Sequence, residues 1–219
     1  MFLHTHPYPP FIPKKATKLI VGTLPPPRFT TAELKPGDVD FCYGSRDGQL
    51  WSIMDRLFDL GLRYENTSEA IKERKDFLID RGIGVCDIVA SAVREKVDAS
   101  DLGMQEVVLR DLVAILQNNP TIETLLFTGG NSKNGPEYFF RRHLKKYGIS
   151  LQLISNELPR RHYFKLPKQN RKITTVSLIA PSGAANRAVG SLKAYKAMKA
   201  HDSALNTIDF RVRQYEPYF

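Results

Sequence analysis

Residues 18–26 read KLIVGTLPP. A short apolar run halted by Gly22 and then by three prolines at positions 25–27 has the pattern of a buried strand that ends in a rigid loop. The pattern recurs twice. Residues 124–131 (TLLFTGGN) run from apolar residues into paired glycines, and residues 173–183 (ITTVSLIAPSG) end in a Pro-Ser-Gly turn. Residues 150–155 read as one more strand. Between these lie helical spacings. Leu50, Ile53, Met54, Leu57 and Phe58 fall on one face of residues 49–60, and further helices are expected over 68–80, 107–117 and 184–200. Another is expected over 136–147, with Pro136 in its first turn and Gly148 past its end. Periodicity leaves the type of residues 82–89 (GIGVCDIV) undecided. Strands alternating with helices imply an α/β fold, three-layer α/β/α with a central, mostly parallel four-stranded sheet. The proline-rich residues 1–17 read as an extended arm and residues 18–219 as a single domain.

The bulk numbers narrow the function classes. The chain has 219 residues, 42% hydrophobic and 25% charged, which is ordinary globular composition. Its formal net charge of +9 favours a polyanionic partner, because cations that neutralise phosphates release condensed counterions. Two cysteines, Cys42 and Cys86, are too few for a disulfide scaffold or a four-cysteine cluster, so a reducing, cytoplasmic setting is expected. The N-terminal segment lacks the long apolar core of a signal peptide, and no apolar run approaches the length of a membrane span. His4 and His6 form a pair of metal-ligand type, which near a terminus is usually incidental. Neither a GxxxxGK[ST] nor a GxGxxG pattern occurs, and Ser182 lacks a Gly-x-Ser-x-Gly elbow. No cofactor or metal is expected.

In parallel sheets, sites form at the carboxyl ends of the strands. Three such ends carry Gly22-Thr23-Leu24-Pro25-Pro26, Phe127-Thr128-Gly129-Gly130-Asn131 and Ala180-Pro181-Ser182-Gly183. Each alone is an ordinary strand-to-helix turn. Together and in this order they resemble the uracil-DNA glycosylase superfamily, and within it the mismatch-specific and hypoxanthine-DNA glycosylase branches. GTLPP resembles a Gly-x-x-Pro-Gly loop. The block from Tyr43 through Asp47-Gly48 to Leu50-Trp51 resembles an aromatic followed by Asn and a Phe-Trp helix start. Cys86-Asp87 stands where the hypoxanthine branch carries Trp-Asp. LLFTGG resembles a strand ending in Phe-Asn-Gly, and APSGAANRA a Pro-Ser turn that opens a helix. The resemblance spans about residues 18–190.

It implies a DNA glycosylase of base excision repair with DNA as its partner; no membrane association and a monomeric state are expected. Such an enzyme flips a nucleotide into a pocket that stacks the base, reads its edge and positions water. By resemblance Gly22, Thr23, Leu24, Tyr43, Thr128 and Asn131 bind the base, with Tyr43 as the stacking face. Pro181, Ser182, Gly183, Asn186 and Arg187 face DNA, the turn offering free N–H groups and a hydroxyl to a phosphate. Arg160 and Arg161 open a basic, aromatic-interleaved segment (residues 160–172) that reads as an irregular DNA-facing loop. Two water-positioning places depart from the pattern: Leu24 and Gly48 carry no polar side chain. Asp47, next to Gly48, and Asp87 are therefore the candidate catalytic residues, although either also suits a capping role. Three readings stay open: a monofunctional glycosylase for uracil or hypoxanthine, a non-catalytic nucleic-acid-binding member of the same fold, and an enzyme acting on free nucleosides or nucleotides.

Overall fold

The structure is a computed structural model that describes residues 1–98 and 100–219. Among the described residues, nine strands and seven α-helices follow in chain order: β1 (Phe2–Thr5), β2 (Lys18–Val21), α1 (Leu50–Phe58), α2 (Ser68–Asp80), β3 (Ile83–Val85), β4 (Val89–Arg94), β5 (Gln105–Leu109), α3 (Leu112–Asn118), β6 (Thr124–Phe127), α4 (Pro136–Lys145), β7 (Gln152–Ser155), β8 (Arg160–Leu166), β9 (Arg171–Ser177), α5 (Asn186–Ser191), α6 (Lys193–His201) and α7 (Thr207–Tyr215).

The central sheet has the order β3-β2-β6-β9-β8-β7. Strands β3, β2, β6 and β9 are parallel, and β8 and β7 extend them antiparallel. Successive side chains of a strand point to opposite faces, so a strand covered on both sides must be apolar throughout. Leu19, Val21, Leu125 and Phe127 pack with α3 and α4 on one face. Ile20, Leu126, Val176 and Val85 pack with α1, α2 and α7 on the other. These are the three expected layers. No helix among the described residues is long and apolar enough to cross a membrane.

The sheet has six strands where four were expected. Residues 160–172, expected to be irregular, form the β8–β9 hairpin, with Arg160 opposite Ser177 and Leu166 opposite Arg171. His162, Phe164 and Leu166 point inward and are buried, while charged neighbours cover the other face and mask the alternation. The strand expected at 150–155 is the antiparallel edge β7, and the undecided residues 82–89 hold the parallel β3 and the start of β4. The helix expected from 107 begins at Leu112, because Asp111 caps it through Ala114 N–H. Val107, Val108 and Leu109 instead pair with β4 in a second, antiparallel sheet ordered β1-β4-β5. The helix expected over 184–200 starts as a 3-10 turn, Gly183–Ala185, and breaks into α5 and α6 at Leu192, whose backbone is extended. Helix α7 was not foreseen. It opens with an Asn206/Asp209 capping box.

Register makes the strand ends level. Val21, Phe127 and Ser177 lie side by side. The loops that follow keep the ladder for one more residue, with Thr128 N–H donating to the Val21 carbonyl and Leu178 N–H to that of Phe127. The three turns singled out in the sequence therefore leave the sheet along one edge.

Candidate active-site cleft

At that edge lies a cleft of about 370 Å³. It is lined by residues 23–26, Tyr43, Asp47, Gly48, Asp87, Asp101, Thr128 and residues 180–184. Gly22 is the pivot of its floor. Its amide donates to Asp87 Oδ1 at 2.8 Å. A methyl group at Gly22 would clash with the Tyr43 hydroxyl and lie 2.8 Å from Asp87 Oδ1 and 2.9 Å from Thr128 Oγ1. Three polar side chains converge here because this residue has none.

Asp87 sits between β3 and β4, where Cys86 N–H donates to the Ile20 carbonyl and Ile88 N–H to that of Gly22. Its buried carboxylate also accepts from the Tyr43 hydroxyl at 2.9 Å. His6 Nε2 lies 3.0 Å from Asp87 Oδ2. Because His6 Nδ1 accepts from Tyr8 N–H, the ring proton sits on Nε2 and is donated to Asp87. The Tyr43 proton is committed to Asp87, so Thr128 Oγ1, 3.1 Å from the phenol oxygen, is the donor in that contact. Burial, and then the charge of Asp87, hold the Tyr43 phenol well above its ordinary range. It stays a neutral donor with its ring facing the cleft.

Tyr43 has φ 58°, in the left-handed region that non-glycine residues rarely adopt and that clusters at functional sites. Its loop is held from below. Asp38, fully buried, takes both Arg28 Nε (2.6 Å) and Arg28 Nη2 (2.8 Å), along with the amides of Lys35 and Arg46. Burial pushes the Asp38 carboxyl up, but Arg28 and these amides outweigh it and bring it down to about 2. Arg28 Nη2 also reaches Ser45 Oγ and Asp47 Oδ2, at 2.9 and 3.1 Å. Asp47 thus stands at the cleft rim, 69% exposed along its side chain and paired with Arg28.

Residues 180–184 form the facing wall. Gln49 N–H donates to the Pro181 carbonyl, and Gly48 bridges Ser182, which ties the wall to the Tyr43 loop. Ser182 precedes the 3-10 turn but makes no side-chain cap, leaving its hydroxyl available to the cleft. Behind the wall, the fully buried Arg211 of α7 donates to the carbonyls of Ala180 (2.9 Å) and Ser182 (3.1 Å) and to Asn186 Oδ1 (2.9 Å).

Of the residues expected to face substrate, Thr23, Leu24, Tyr43, Asp47, Asp87, Thr128, Pro181, Ser182 and Gly183 line this cleft, and Gly22 underlies it. Asn131 does not. It lines a separate hollow with Tyr138, Arg141 and Arg142. Asn186 is engaged by Arg211 and by Thr207 Oγ1. Arg160 pairs with Glu137, a buried carboxylate of α4, while Arg161 and Arg187 are exposed. His4 and His6 are engaged by different partners, His4 by Arg94 and His6 by Tyr8 and Asp87. His4 is held neutral, at about 4, by burial and by Arg94, whose Nε donates to its Nδ1. The sequence reading missed Asp101, His6, Arg28 and Arg211. A carboxylate in a polar stretch and basic residues on distant elements give no local signal. Of these, only His6 had been singled out, and then as half of a pair of metal-ligand type.

The architecture recurs in a solved structure. A solution NMR structure from Methanosarcina acetivorans, described as a "putative Uracil DNA glycosylase", superposes with a TM-score of 0.54 at 15% identity, covering 96% of this chain and 99% of its own. No family model matches the chain, and no curated protein matches it. The likeness shows the fold expected from the ordered strand-end motifs.

Proposed function

We propose that this protein is a monofunctional DNA glycosylase of the uracil-DNA glycosylase superfamily, hydrolysing the N-glycosidic bond of a flipped-out deaminated base, uracil or hypoxanthine. One observation carries the reading: the Tyr43 hydroxyl is hydrogen-bonded to both Asp87 and Thr128 on the floor of a single cleft, opposite the Pro181-Ser182-Gly183 wall. A cleft of about 370 Å³ falls in the range of small-ligand pockets, roughly 300–1,000 Å³. In this reading the Tyr43 ring stacks the base, a contact worth about 1–3 kcal/mol. Thr128 and the residues after Gly22 face the base edge. The Ser182 hydroxyl and the turn's amides receive a phosphate, and the net charge of +9 supports DNA as the partner.

Breaking the bond leaves positive charge on the sugar and negative charge on the departing base. Asp87, buried beside the cleft, offsets the former. Water needs a base, and the sequence candidate is Asp47 at the rim. The experiment is incubation of the protein with duplex and single strands bearing uracil or hypoxanthine, followed by alkaline cleavage at abasic sites. Cleavage at one of the two bases is expected. Folded protein that binds DNA but leaves every strand intact would reject the reading. That outcome would favour the second one, a non-catalytic DNA-binding member of the fold, whose support is that Leu24 and Gly48 line the cleft without polar side chains.

A further inference from the structure

We infer that Asp101 is the group that takes the proton from the attacking water, an assignment that rests on the glycosylase reading above. Three carboxylates line the cleft: Asp47, Asp87 and Asp101. Asp87 is committed, accepting from Gly22 N–H and the Tyr43 hydroxyl at Oδ1 and from His6 at Oδ2. Asp47 is largely solvent-exposed and paired with Arg28. Asp101 differs from both. Its Oδ1 accepts from Thr23 Oγ1 at 2.8 Å, and Oδ2 receives no hydrogen bond from the described residues. One oxygen is thus oriented by the end of β2 and the other is left for a water.

The position is built. Asp101 opens a 3-10 turn, Asp101–Gly103, whose backbone is held from two sides. Asn134, buried at the β6–α4 junction, donates through Nδ2 to the carbonyls of Asp101 (2.9 Å) and Met104 (3.2 Å). Arg94, buried in β4, donates to the Ser100 carbonyl at 2.6 Å. The groups acting on the carboxyl are Thr23 from the loop after β2, Arg94 from β4 and Asp87 from the β3–β4 turn. Burial raises it, Thr23 and Arg94 lower it, and Asp87 raises it again, leaving it at about 6. A base with that value is about nine-tenths ionised at pH 7 while keeping useful proton affinity.

The step balances without a co-reactant. The water oxygen bonds to C1′ as the C1′–N bond breaks, and the bond pair leaves on the base nitrogen. The water proton passes to Asp101, and the departing base takes a proton from solvent.

The test is Asp101→Asn in the full-length protein, which keeps an acceptor for Thr23. Four quantities are measured: single-turnover base release, its pH profile, affinity for DNA and melting temperature. The expected result is a fall in rate of about 10²–10⁴-fold, with affinity changed little and melting temperature unchanged or higher. The wild-type rate rises with pH through about 6, and the variant loses that rise. Base release by Asp101→Asn at the wild-type rate overturns the assignment and leaves the glycosylase reading standing. So does a loss of rate accompanied by lost affinity and a lower melting temperature, which marks a structural role. A wild-type protein that releases no base removes both.

Discussion

The Asp87 carboxylate and the Tyr43 hydroxyl meet at 2.9 Å over the bare Cα of Gly22. Gly22→Ala puts a methyl group into that meeting point. It should destabilise the fold by about 1–3 kcal/mol, the usual range for an overpacked site, and abolish base release as Tyr43 is displaced. Urea unfolding and strand cleavage measured on the same preparation check both effects.

Tyr43→Phe keeps the ring and removes the donor. Asp87 Oδ1 then retains only the Gly22 amide. Stability should fall by about 1.5–3 kcal/mol, the range for a hydrogen bond to a charged group, while affinity for DNA containing the target base changes little. Tyr43→Ala should weaken that affinity by about 1–3 kcal/mol through lost stacking. Comparing the two variants by fluorescence anisotropy separates the hydroxyl from the ring.

Asp38 and Asp101 should give opposite pH signatures. The folded Asp38 carboxyl, at about 2, lies below its ordinary value of 3.8. Its contribution to stability is therefore complete above about pH 4 and is lost as pH falls towards 2. Arg28→Ala should remove that window and cost about 3–5 kcal/mol, as expected when a buried pair loses one partner. Asp101, at about 6, lies above its ordinary value. It favours the folded state below about pH 4, and that contribution is lost as pH rises through 6. Asp101→Asn should thus be more stable than wild type at pH 7, with the gain vanishing in acid. Melting curves between pH 3 and pH 8 test both signs.

Arg187 is exposed on α5, one turn beyond the cleft wall. If it meets a phosphate, Arg187→Ala should weaken DNA binding evenly across sequences and reduce the salt slope by about 1. A salt titration of binding to two unrelated duplexes reads the effect.

The fold was legible where local chemistry and topology coincide. Residues 18–26, 124–131 and 173–183 announce their strands by apolar runs and their ends by Gly and Pro, and parallel pairing then forces those ends onto one edge. Thr128 and Ser182 were reachable from sequence for that reason, and Tyr43 through the resemblance carried by residues 43–51. Strand β8 was hidden because its exposed face is charged, so its inward His162, Phe164 and Leu166 do not stand out. The break at Leu192 is a single extended residue in a sequence that otherwise favours continuous helix. Asp101 was invisible as a site residue because its environment is assembled from Thr23, Arg94 and Asn134, on three separate elements of which two are distant in sequence. His6 and Arg211 were obscure for the same reason, since each acts on a backbone or carboxylate many residues away.

The wall of the cleft depends on Arg211, which braces Ala180, Ser182 and Asn186 from α7. The facing wall is therefore completed only after the sheet that carries the floor. A nascent chain whose central sheet has left the ribosome carries the Tyr43–Asp87 floor with no braced surface opposite it. A polypeptide truncated ahead of α7 would keep that floor while residues 180–186 lost the Arg211 donors and kept their ties to Gly48 and Gln49.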